Sequence, residues 1–60
     1  LHVIKTDDGC RIETATPKQV MVFDVNGKTI WTGRTPSNIE LKHGVYIVRS
    51  ASGEVVKLVK

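Results

Sequence analysis

Six carboxylates, two histidines, one cysteine and three aromatic rings are where any chemistry in this 60-residue chain would have to start. Asp7-Asp8-Gly9 could open a cation-binding loop, but the further spaced oxygen ligands of a calcium motif do not follow, so it reads as a turn. Cys10 could act as a nucleophile only beside a base that lowers its thiol pKa. Neither His2 nor His43 is placed near it by sequence, and Cys10 reads instead as a small, half-buried strand residue. A lone cysteine forms no intrachain disulfide, and no Cys/His spacing matches a zinc site, so neither metal nor cofactor is expected. Asp24, just ahead of Asn26-Gly27, is expected to accept backbone hydrogen bonds within a turn. The remaining acids, Glu13, Glu40 and Glu54, offer no general acid–base pair, and no nucleophile elbow is present. Nothing here points to an enzyme.

Stacking is the other chemistry to weigh. Trp31 and Tyr46 could stack on a sugar or a nucleobase. Phe23 and Tyr46 lie in strands that look buried, which assigns them to core packing. Trp31 alternates opposite Ile30 and is expected to face outward, leaving a carbohydrate-binding role open. Nucleic-acid binding calls for a basic stripe interleaved with aromatics, and the basic residues here are too few and too spread. The net charge is +3. Residues 1–40 carry equal numbers of acids and bases. The excess therefore falls in the last third, on Lys42, Arg49, Lys57 and Lys60 against Glu54. Lysines there could protect an edge strand from unwanted pairing or form a basic recognition surface.

The elements that must position these residues are strands. Three hairpin-like units, Leu1–Thr14, Gln19–Thr32 and Val45–Val59, turn on Asp8-Gly9, Asn26-Gly27 and Ser52-Gly53. Cys10, Ile12 and Thr14 alternate onto one face. Val20-Met21-Val22-Phe23 is a continuous apolar run, as in a strand covered on both faces, and Val45-Tyr46-Ile47-Val48-Arg49 looks similarly buried. Asn26-Gly27 suits a two-residue type I′ turn. Gly33 to Ser37 reads as a loop of breakers, and Ile39-Glu40-Leu41 as a short strand before the Lys42-His43-Gly44 turn. No window has helical period. The expectation is all-β: one small immunoglobulin-like antiparallel β-sandwich of about seven short strands over residues 1–60. No stretch approaches the roughly 18 apolar residues of a membrane span. A start at Leu1 rather than Met suggests a piece excised from a longer protein. With exposed edges, dimerisation by strand pairing or swapping is possible.

Three segments in order carry a resemblance. An aromatic-Asp-x-x-Gly-basic hairpin occurs as Phe23, Asp24, Gly27 and Lys28. A Gly-x-Tyr-x-Val strand follows as Gly44, Tyr46 and Val48. A last strand, Val55, Val56, Lys57, Leu58, Val59, closes on a basic residue, Lys60. From Val20 to Lys60 the chain resembles the C-terminal sorting domain of the type IX secretion system of Gram-negative bacteria. Lys28 stands where arginine is commoner, and Phe23 where tyrosine often appears.

The resemblance implies an address. An upstream passenger, often a peptidase or an adhesin, would be directed through the outer-membrane translocon. The domain would then be removed by a sortase-like peptidase as the passenger is attached to the cell surface. Location follows: periplasm in transit, then cell surface or medium. Lys57, Leu58, Val59 and Lys60 are the expected recognition tail, read by strand addition or through the terminal carboxylate. Gly44, Tyr46 and Val48 are expected to support it. The alternatives are an accessory immunoglobulin-like module of a secreted enzyme, or a carbohydrate-binding module using Trp31.

Overall fold

The computed structural model describes residues 1–60 and is all-β, so no helix is long and apolar enough to cross a membrane. Seven strands follow one another: β1 (His2–Lys5), β2 (Gly9–Glu13), β3 (Gln19–Asp24), β4 (Thr29–Arg34), β5 (Ser37–Glu40), β6 (Val45–Ser50) and β7 (Val55–Val59). They form two antiparallel sheets, one ordered β1-β2-β5 and the other β4-β3-β6-β7. The three expected hairpins are β1–β2, β3–β4 and β6–β7. Every other connection crosses between the sheets. The Cα envelope is 15 Å across its thin axis. Stacked sheets sit about 10 Å apart, so this thickness holds two layers and no third.

The core is one inward face from each sheet. Cys10, Ile12 and Ile39 come from the three-stranded sheet, and Val20, Val22, Val48 and Leu58 from the four-stranded one. Leu1, Val3, Trp31, Leu41 and Tyr46 pack around them, partly buried. Directly paired residues share a face of a sheet. The Val20–Ser50 and Val22–Val48 pairs therefore define the inward side, and Phe23–Ile47 and Met21–Arg49 the outward side. The expectation that β3 and β6 are covered on both faces is corrected: Met21, Phe23, Val45 and Ile47 are only half-buried, with no element above them.

Turn chemistry departs from the expected pattern in a consistent way. Asn26 has no positive φ, so the β3–β4 turn is not type I′. Gly27 N–H donates to the Asp24 carbonyl (3.1 Å), and Asp24 N–H donates to the Lys28 carbonyl (2.9 Å). With Gly27 at φ +82°, this is a three-residue loop ending in a left-handed glycine. The β6–β7 loop repeats the device: Gly53 N–H donates to Ser50 O (3.0 Å), Ser50 N–H donates to Glu54 O (2.9 Å), and Gly53 has φ +92°. The short polar side chain opening each loop, Asp24 or Ser50, accepts the N–H four residues on, from Lys28 (3.0 Å) or Glu54 (3.2 Å).

In the β1–β2 hairpin the apex is Asp7-Asp8, closed by Thr6 and Gly9, so Gly9 opens β2 instead of turning the chain. Strand β4 also continues through Gly33 and Arg34, which shortens the expected loop to Thr35-Pro36, joined by a cis peptide bond. Thr35 is buried and clasps the two crossovers there. Its N–H donates to Lys18 O (2.9 Å), and its Oγ1 accepts from Lys18 N–H (3.0 Å) and pairs with the Thr14 hydroxyl.

The first and last strands are tied across the sandwich at both ends. The Leu1 α-ammonium donates to Glu54 Oε2 (2.8 Å), and Lys60 Nζ donates to the carbonyls of Thr6 (2.7 Å) and Asp7 (3.2 Å). The Leu1 hydrogen bond and charge hold the Glu54 carboxyl below its ordinary range, with smaller help from Ser52 and Lys18 against a desolvation effect.

Two outcomes test this architecture. A Cβ at Gly9 would lie 1.8 Å from the Ile39 carbonyl oxygen, a backbone atom that cannot swing aside. Gly9→Ala should therefore lose at least about 2 kcal/mol by urea unfolding, from forced separation of β2 and β5. Because the folded pKa of Glu54 is depressed, its contribution is present above the unfolded carboxylate pKa and lost as pH falls through the folded one. Urea midpoints of the 60-residue chain, whose Leu1 amine is free, and of its Glu54→Gln variant should differ at neutral pH and converge on acidification.

Candidate recognition surface

The three segments singled out in sequence meet at one corner of the four-stranded sheet. Asp24 on β3 pairs with Tyr46 on β6, and Tyr46 pairs with Leu58 on β7. One step further, Gly44 and Lys60 exchange both backbone hydrogen bonds, at 3.0 and 2.9 Å. Residues up to 36 positions apart in the chain are thus brought within one ladder.

Each motif residue has a definable task there. Asp24 Oδ1 accepts from the N–H groups of Asn26 (2.9 Å) and Lys28 (3.0 Å), so its carboxylate is spent on its own loop, as expected. Gly27 supplies the left-handed step, and Lys28 is exposed. Phe23 does not join the core: it stands on the outward face opposite Ile47. Tyr46 does face inward. Its ring lies over Gly44, and its hydroxyl donates to the Lys42 carbonyl (2.8 Å), which fixes the turn leading into β6. Val48 is fully buried.

The last four residues are an ordered strand end. Leu58 is in the core, Lys60 is held through its backbone and its ammonium group, and Lys57 and Val59 face outward and are exposed. β7 is an edge strand. In an antiparallel ladder, alternate residues bond to the neighbour. With Gly44–Lys60 and Ser50–Glu54 as bonded pairs, the N–H and C=O groups of Val55, Lys57 and Val59 point away from β6. That free edge is the docking geometry for an added strand.

The competing chemistries lose ground in the geometry. Trp31 is corrected: it pairs with Val22 on the inward face and packs against the core, while Ile30 becomes the extra residue of an irregularity between Val22 and Phe23. The indole lies over Gly33, where a Cβ would fall 2.6 Å from a ring carbon, so glycine is what lets the ring lie flat. The indole is half-buried, laid over Gly33 and against the core. Cys10 is fully buried, more enclosed than expected, and burial pushes its thiol pKa up while Lys60 draws it partly back. No three His, Cys, Asp or Glu side chains gather to hold a metal. The carbonyls of the Asp7-Asp8 turn instead take the ammonium of Lys60. His2 and His43 are exposed.

No protein-family model matches this chain, and no curated protein or solved structure gives a significant match.

Removing the Asp24 carboxylate should loosen this corner. Asp24→Ala strips the acceptor from two N–H groups and should cost about 1–2 kcal/mol by thermal or urea unfolding. Asp24→Asn keeps Oδ1 and should recover most of that loss.

Proposed function

We propose that this chain is a C-terminal sorting domain of the type IX kind, an address that directs an upstream passenger through an outer-membrane translocon. The observation that supports the reading is the convergence of the three motif segments. The hairpin of Phe23, Asp24, Gly27 and Lys28 braces the strand of Gly44, Tyr46 and Val48, and that strand holds the closing strand up to Lys60. On this reading the motif residues shape a free edge on β7 and hold it in register. The receptor adds a strand along Val55, Lys57 and Val59, and the basic side chains speed encounter with an acidic partner. A sortase-like peptidase then releases the passenger at the cell surface.

Truncation is a poor probe of this idea, because deleting β7 also removes Leu58 from the core. A loss of that kind costs about 2–5 kcal/mol, against a total stability of roughly 3–9 kcal/mol for a chain this size. A proline at Lys57 separates the two effects. The Lys57 N–H serves no ladder bond, so edge proline leaves the β6–β7 pairing intact while removing a donor from the free edge. A reporter bearing a secretory signal would be fused ahead of residue 1 in a host with a working type IX system. The unaltered fusion should reach the surface or medium, and Lys57→Pro should stay folded in the periplasm. Periplasmic retention of both fusions would remove the sorting reading and leave an accessory sandwich module. Normal export of Lys57→Pro would refute edge pairing as the means of recognition.

A further inference from the structure

The two outer faces of the sandwich are unlike. On the three-stranded sheet the outward residues are His2, Ile4, Arg11, Glu13, Asn38 and Glu40, a solvated mixture in which Arg11 Nε meets Glu13 at 3.0 Å. On the four-stranded sheet the outward register holds Met21, Phe23, Val45, Ile47, Val55 and Val59. Val55 and Val59 are 59% and 54% exposed, and Val25, which lines a groove with Phe23, Val45 and Ile47, is 69% exposed. Contiguous apolar surface of this kind, on an otherwise charged small domain, marks an interaction site.

Charge on that face is mainly positive, with Asp24 at the groove its one carboxylate. Its cations are Arg34, Arg49 and Lys57, all exposed and none in a salt bridge. Asp24, at the rim, has Oδ1 committed to its own turn. The cations are also not spread evenly. Arg34 and Arg49 lie toward the Gln19 end of β3, while the opposite end opens into a shallow groove of about 420 Å³ lined by Phe23, Val25, Val45 and Ile47 with Asp24 and Gly27.

We infer that this face is a docking surface for an acidic amphipathic helix of a partner protein. A second copy of this chain would bring a face of the same net positive charge, with Asp24 its one carboxylate. A bilayer offers no projecting side chain to fill the groove, whereas an apolar helix stripe does. Four strands span about 14 Å at their spacing of about 4.8 Å, and a six-residue strand runs about 20 Å. A helix about 10–12 Å wide and about 14 residues long covers that area. Its apolar stripe would lie on Phe23, Ile47 and Val59, and carboxylates toward one end would reach Arg34 and Arg49. The inference stands on the surface chemistry of the sheet and does not depend on the sorting reading.

The test is a titration of the isotopically labelled full chain, followed by amide chemical shifts, with three probes. These are a designed Leu/Glu amphipathic helical peptide of about 14 residues, its Leu/Lys counterpart, and phosphatidylglycerol vesicles. The expected result is saturable shifts at Phe23, Ile47, Arg49 and Val59 with the Leu/Glu peptide alone. Arg49→Glu should weaken binding about tenfold, and Ile47→Thr should do so while keeping a folded spectrum. Absence of saturable shifts, equal response to the Leu/Lys peptide, or binding by vesicles instead of peptide would each overturn the proposal. So would full affinity in Arg49→Glu, an exposed position where charge reversal leaves the fold intact.

Discussion

The row of Val20, Val22 and Val48 pressed against Cys10, Ile12 and Ile39 is what makes two small sheets one domain. Ten residues are buried, and most of the apolar ones belong to this row or border it. Chains of this length bury only about 60% of their unfolded surface, so an interlayer this small has nothing in reserve. Its demands explain the polar details as well. Thr35 must be buried to bring the crossovers close, and its hydroxyl is therefore bonded three ways. Glycine at position 33 lets Trp31 lie flat over the end of the row. The three loops that close hairpins are short because the chain cannot spare residues for longer ones.

The same economy accounts for the outward face of β4-β3-β6-β7. A third layer would have covered Phe23 and Ile47, and a polar substitution would have made them ordinary surface. Neither is present. The face stays largely apolar, with Arg34 and Arg49 at one end and Lys57 beside Ile47, while the free edge of β7 lies along its border. Edge and face are separate surfaces with different chemistry: one offers backbone groups, the other side chains.

Much of this was legible in the sequence. Strand number, the three hairpins and the inward positions of Cys10 and Ile12 follow from alternation and from glycine after a small polar residue. What misled were signals with two physical meanings. A run such as Val20 to Phe23 has the same composition whether its second face is buried or left open for a partner. Asn-Gly suits a two-residue turn, but it also fits the end of a three-residue loop in which only the glycine is left-handed, and the Asp24 carboxylate selects that loop. Trp31 faces inward because the ladder slips by one residue at Ile30, whereas strict alternation would turn the ring outward. Burying the larger ring outweighed keeping the register. Nothing in the sequence indicated that Lys60 would lie in the carbonyls of the first turn.

That last contact, with its counterpart from Leu1 to Glu54, has a mechanical consequence. β1 and β7 run side by side in the same direction, so attachment points at residues 1 and 60 emerge from opposite ends of the sandwich. Tension applied between them acts along the strands and loads the β1–β2 and β6–β7 ladders in shear. Their hydrogen bonds must then fail together instead of unzipping one by one. A domain with modest thermal stability can in this way be stiff to pulling from its ends, and yield readily when the β3–β4 hairpin is peeled from the side.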